Sequence, residues 1–274
     1  MKNLIKKINK FIIYSYLNVD FEKKENIVDF LVEDLYLKIR GFKSKKNLKD
    51  FIVFNIFEEQ NFKLKNISKK ESENIISSIK SIFKKCNSLI KLNKDLKIVI
   101  LPTNQSFVSE KMKGSTGYTV STETMFIFIN PKSINLKTIN NTIEKTFAHE
   151  YNHAARIMYF PKINSMSLLD NLVFEGLADN FQKMVTKGLR VPPWSRSLSR
   201  NESKIIFNEI IVKIQSKNEN NFFELFFENK KYPLWAGYSI GYYIVDSFLK
   251  NNSNNKWKEI VKLKSIDILK KSDW

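Results

Sequence analysis

The stretch AHEYNHAARIM, residues 148–158, holds both histidines of this chain, His149 and His153, four residues apart, with Glu150 directly after the first. On a helix, residues four apart lie about 40° apart in rotation and one turn apart in height, so both imidazoles can reach one cation from the same face. Glu150 projects roughly 100° round from His149. It would flank the cation, placed to take a proton from a water bound there. Thr146, Phe147, Ala148, Tyr151, Asn152, Ala154 and Ala155 around the motif are all uncharged. The fold must therefore run this helix through its interior and bring a further ligand to it. The alternative reading is a pair of histidines hydrogen-bonded within a core.

The nature of that ligand is limited by composition. One cysteine, Cys86, excludes an internal disulfide and a cysteine-rich metal site, and suits a reducing, cytoplasmic setting. A metal here sits on nitrogen and oxygen. Zinc accepts imidazole nitrogens and, in catalytic sites, commonly takes three protein ligands plus water. No histidine remains to be the third. VFEGLADNF, on the next expected helix, offers Glu175, with Gly176 and Ala178 small enough to let the two helices approach closely. Asp179, one turn on, could accept the free ring N–H of His149 and fix its tautomer. Alone, Glu175 and Asp179 would read as a solvated face; Leu172, Val173, Phe174, Leu177 and Phe181 around them favour the ligand reading.

Periodicity places these motifs in an α+β fold, mostly helical, with a small central sheet packed on the pair of metal-site helices. Residues 1–93 form an N-terminal helical region and 94–274 a second domain with the small sheet over 94–131 followed by the metal-site helices. Leu4, Ile5, Ile8, Phe11 and Ile12 share a helical face, which packs on the core or, alternatively, touches a membrane surface peripherally. NIVDFLVEDLYLKIRGF, NLKDFIVFNIFEEQNF and SKKESENIISSIKSIFKKCNSLIKL repeat apolar residues at three and four. Gly41 is placed to end the first of these, and Ser68 with Glu71 forms a capping box for the third. The sheet occupies 94–131: LKIVILP and TMFIFINP are short β-rich runs, with GSTGYTVST between them as a turn or third strand. Helices then return over 135–160, 167–188, 200–216, 220–228, 235–250 and 255–270. No uncharged run approaches the roughly 18 residues of a membrane span.

The net charge of +18 invites a nucleic-acid partner. Only five of the 46 basic residues are arginine, however, and base readout favours the planar guanidinium. No specific nucleic-acid partner is expected. The oligomeric state is not legible.

HEYNH followed 22 residues later by the glutamate of EGLAD resembles the gluzincin metallopeptidases, with a slightly longer gap between histidine and glutamate. More closely, HEYNHAAR, FEGLAD and YPLWAGYSIGYYIV together are similar to the YjaZ-like family of predicted zinc-dependent peptidases over roughly residues 95–250. The resemblance implies one zinc ion on His149, His153 and Glu175, with Asp179 supporting a ligand. It also implies Glu150 as general base and later proton donor, acting on a water of lowered pKa, with no covalent intermediate. Gluzincin aminopeptidases carry Tyr-x-x-Gly on a later helix, its phenol donating to the oxyanion; Tyr238 with Gly241 fits. Tyr242 and Tyr243 are alternatives, as is plain aromatic packing. TMFIFINP is, by the same resemblance, an edge strand that would hold an extended peptide. The expected partner is a peptide or protein substrate. The alternatives are a zinc hydrolase of a non-peptide amide or ester, and a regulatory or binding protein retaining the scaffold, though the latter has no need of Glu150. Arg156 either orients substrate or pairs with a carboxylate, and Trp194 and Trp235 either pack or line the cleft.

Overall fold

The computed structural model describes residues 4–8, 11–19, 27–58, 64, 67–133, 139–188, 191–227 and 231–274. The first residues of the expected 135–160 helix and the end of NIFEEQNF lie outside them. The chain divides into two compact units, Met1–Asn87 with Leu92–Ala154, and Ser88–Lys91 with Ala155–Trp274.

The first unit is built on a five-stranded mixed sheet. In chain order it contains β1 (Leu4–Ile8), β2 (Phe11–Ser15), α1 (Ile27–Tyr36), α2 (Lys45–Ile56), α3 (Lys69–Leu89), β3 (Leu96–Pro102), α4 (Ser106–Glu110), β4 (Ser115–Ser121), β5 (Thr124–Ile129) and most of α5 (Ile139–Ile157). The strand order is β1-β2-β3-β5-β4, with β2, β3 and β5 parallel and both outer strands antiparallel to their neighbours. Alternation along the strands sends Tyr14, Val99, Leu101, Phe126 and Phe128 to a face covered by Leu31, Leu35, Leu48 and Ile52 of α1 and α2. The opposite face meets α3, where the rings of Phe11 and Phe83 lie 4.2 Å apart, and Phe83 in turn packs edge-on against Phe147 and Tyr151 of α5. With helices on both sides, β3 and β5 carry near-continuous apolar runs, as doubly covered strands do.

Two sequence expectations are corrected here. The N-terminal residues form the β1-β2 hairpin, where a helix was expected, so the region before 93 supplies two strands to the sheet. Phe11 and Ile13 face one side and Tyr14 the other. A strand buried on both faces has no alternation, and a continuous apolar run cannot be told from a helix by period alone. Secondly, β5 is not an edge strand: it lies between β3 and β4, and the edge is β4. Gly41 adopts φ +110, but beyond the end of α1 at Tyr36; a Cβ there would lie 2.2 Å from Val120 Cγ1. The Ser68–Glu71 capping box is present.

The second unit is helical: α6 (Leu168–Val185), α7 (Arg200–Ile210), α8 (Glu219–Phe226), α9 (Ala236–Asn251), α10 (Trp257–Ile260) and α11 (Ser265–Lys270). The expected single helix over 255–270 is broken into α10 and α11. The buried Arg156 guanidinium donates to the carbonyls of Val261 and Leu263 in the break and stacks 3.9 Å over Phe160. Burial lowers its pKa to about 10, against the opposing pull of Asp170. Its role is thus to fasten the C-terminal segment through main-chain oxygens. Gly176 of α6 and Gly241 of α9 meet at a close crossing, where a Cβ on Gly241 would lie 2.0 Å from the Leu172 carbonyl oxygen.

The start of α6 makes a pH prediction. Ser167 and Asp170 form a capping box, and Asp170 also accepts from Ser265 at 2.6 Å. Burial raises the Asp170 carboxyl, but hydrogen bonds from Ser265 and Ser167 and the charge of Arg156 outweigh it, leaving the pKa below the ordinary 3.8. A depressed carboxylate stabilises the fold above its unfolded pKa, and that stability is lost as pH falls through the folded value. Asp170→Ala is expected to cost roughly 1–2 kcal/mol at pH 7. In thermal melts the gap to wild type should shrink below pH 3.8; a gap constant with pH would show that the carboxylate charge contributes nothing.

Candidate metal centre

The uncharged run around the histidines does what its composition suggests. Phe147, Ala148, Tyr151, Ala154 and Ala155 are buried, so the C-terminal half of α5 passes through the interior. His149, Glu150 and His153 are 8%, 6% and 5% exposed. The two imidazole rings lie 4.5 Å apart and nearly perpendicular, at 87°. Donor atoms from His149, Glu150 and His153 all fall within 4.8 Å of one another. Two buried imidazoles on one face, at a spacing a single small cation can bridge, fit zinc by the chemistry of the donor set. Cys86 is a poor competitor, since burial pushes its thiol well above the ordinary value.

Sequence reasoning missed the residues that hold Glu150. On edge strand β4, Thr119 places Oγ1 2.7 Å from Glu150 Oε2 and 2.9 Å from the Glu150 main-chain oxygen. Gly117, two residues earlier and so on the same face, lies against the same side chain: a Cβ there would stand 2.3 Å from Glu150 Cγ and 2.8 Å from Oε1. Tyr118 between them turns to the other face, its ring 5.1 Å from that of Phe51. Burial, then the Glu150 charge, raises the Tyr118 phenol above its usual pKa. No signal in the sequence joins residues 117–119 to 150. The only hint was Gly117 within an otherwise β-prone run, which marks close approach of another group.

The remaining site residues belong to the second unit. Glu175 is half-buried on α6. Asp179, fully buried one turn later, accepts from Trp194 Nε1 at 3.1 Å and from Ser195 Oγ at 2.6 Å. These two donors come from the VPPWSRS turn, so Trp194 packs and also donates. A carboxylate has acceptor capacity for more than two donors. Tyr238 is half-buried on α9, its ring edge-on to Phe226 at 5.0 Å and to Trp194 at 6.4 Å. Tyr242, by contrast, is fully buried and its phenolic oxygen accepts from Lys183 at 2.9 Å and Arg196 at 3.0 Å. The Tyr243 hydroxyl donates to the Leu198 carbonyl. Gly241, the glycine of the Tyr-x-x-Gly pattern, serves the crossing with α6.

Among the described residues, no helix is long and apolar enough to cross a membrane. Comparison with known proteins adds a family. A family model described as "Predicted Zn-dependent protease (DUF2268)" matches residues 75–270. The protein YjfC of Bacillus subtilis (strain 168), itself uncharacterized, is 30% identical over 151 residues, which is 51% of this chain and 49% of that relative. The chain thus spans about half the length of the curated relative it matches. No solved structure matches.

Proposed function

We propose that this chain, which belongs to the family of predicted Zn-dependent proteases, hydrolyses peptide bonds in the manner of a gluzincin, with zinc held by His149, His153 and Glu175. The observation that carries the reading is the buried cluster of His149, Glu150 and His153 on one helix. A third protein ligand is needed, the chain has two histidines only, and a carboxylate on α6 supplies the missing charge. Asp179 accepts a ring N–H of His149 in this reading, as acidic partners of zinc-bound histidines commonly do.

Bound zinc would supply an acidified water and a polarised scissile carbonyl. Glu150 takes one proton from the attacking water and returns it to the leaving amine, so the carboxylate ends as it began. Tyr238 donates its phenolic hydrogen bond to the developing oxyanion; Tyr242 is fully buried and Tyr243 gives its proton to the Leu198 carbonyl. Outer strand β4 is the strand along which an extended peptide would pair.

Elemental mass spectrometry of the purified protein tests the ligand set. About one zinc per wild-type chain is expected, lost in His149→Ala and in Glu175→Ala. Zinc retained by Glu175→Ala would put the third ligand elsewhere. A wild-type protein that binds none when zinc is supplied would end the metallopeptidase reading.

A further inference from the structure

We propose that Thr119 is a positioning residue for Glu150, its hydroxyl holding the carboxylate in place, and that Gly117 is the space in which that carboxylate stands. The inference rests on the reading of Glu150 as general base. A threonine hydroxyl has one proton and two lone pairs. Here it lies within reach of two acceptors belonging to the same residue, Oε2 at 2.7 Å and the main-chain oxygen at 2.9 Å. The shorter contact, to Oε2, ties the carboxylate to β4, and the second keeps the hydroxyl beside the helix backbone that carries Glu150.

Two features of β4 make this arrangement. The register against β5 shifts between Thr119 and Ser121, and such bulges re-aim neighbouring side chains. Gly117 then leaves open the volume taken by the Glu150 side chain. A methyl at 117 would meet Glu150 from Cγ outward and no backbone, so the side chain must shift and take its carboxylate with it.

The test compares Thr119→Val, which removes the hydroxyl at constant shape, with Thr119→Ser, which keeps it, and with Gly117→Ala, which keeps it but crowds the carboxylate. Each is loaded with zinc and examined by metal content, thermal melting, steady-state kinetics on a mixed-sequence fluorogenic peptide library, and crystallography. Thr119→Val and Gly117→Ala are expected to keep their zinc and lose about 10- to 100-fold in kcat at nearly constant KM. Thr119→Ser should return to within about threefold of wild type. In crystals the Glu150 carboxylate should leave its present position in the first two variants only. If Thr119→Val fails to fold, the Gly117→Ala and Thr119→Ser results carry the same comparison. An unmoved carboxylate or a wild-type kcat in Gly117→Ala or a folded Thr119→Val overturns the proposal, as does a Thr119→Ser as slow as Thr119→Val. A carboxylate that moves as expected in a wild-type background that cleaves no peptide overturns the peptidase reading instead, and leaves the positioning role standing.

Discussion

Replacing Glu150 by glutamine is expected to lower kcat for peptide hydrolysis by about 10³-fold while zinc content and melting temperature stay close to wild type. The substitution is chosen because so little else changes. A glutamine oxygen still accepts from Thr119, now 2.7 Å from the carboxylate, and the side chain fills the same space against Gly117. What is lost is a basic oxygen able to carry a proton from water to the leaving amine. Zinc analysis and kinetics on one preparation separate the cases. Loss of zinc would make position 150 structural to the metal site. Undiminished turnover with zinc retained would show that the proton travels by another route.

The second large effect concerns stability. Gly241→Ala should lower the melting temperature by about 10 °C, from an overpacking cost of about 3 kcal/mol. Helix propensity alone argues the other way, since alanine gains about 1 kcal/mol over glycine inside a helix. The crossing decides the sign. A Cβ on Gly241 would stand 2.0 Å from the Leu172 carbonyl oxygen and 3.3 Å from the Gly176 nitrogen, and one on Gly176 would stand 2.1 Å from the Gly241 oxygen. Backbone cannot rotate aside as a side chain can, so α6 and α9 must separate. A raised melting temperature in thermal melts of this variant would mean that the two helices are not held at that distance.

The legible parts of this protein were those whose signals are local. The histidine pair, the run of uncharged neighbours around it, the Ser68–Glu71 cap and the strands LKIVILP and TMFIFI all declare themselves within a few residues. The mostly helical α+β class follows from them. Sheet order does not. TMFIFI was assigned to an edge, yet all six of its residues are buried, which only a strand covered on both faces and both sides achieves. The polar, glycine-bearing STGYTVS was the better edge candidate. Strand β2 was hidden for the same reason, because burial on both faces erases alternation. Thr119 and Gly117 were beyond reach in another sense: their meaning lies in a contact with Glu150, 31 and 33 residues away, that no spacing rule encodes. Arg156 was weighed against carboxylates and substrate, and its main partners proved to be main-chain carbonyls, which have no sequence signature at all.

The β2–β3 pairing sets the order in which the chain can be completed. Phe11 pairs in parallel with Leu96, about 85 residues later, and every one of the intervening helices must be synthesised before that ladder can close. At 5–20 residues per second a ribosome needs roughly 4–17 s to make that stretch. During this interval Phe11 and Ile13, among the most deeply buried residues of the finished protein, have no strand to join on the far side from β1. The nascent chain therefore carries an unclosed apolar edge at β2 for seconds, the kind of transiently exposed surface that favours misassembly. A truncation that begins at residue 94 would leave β3 exposed along the same edge.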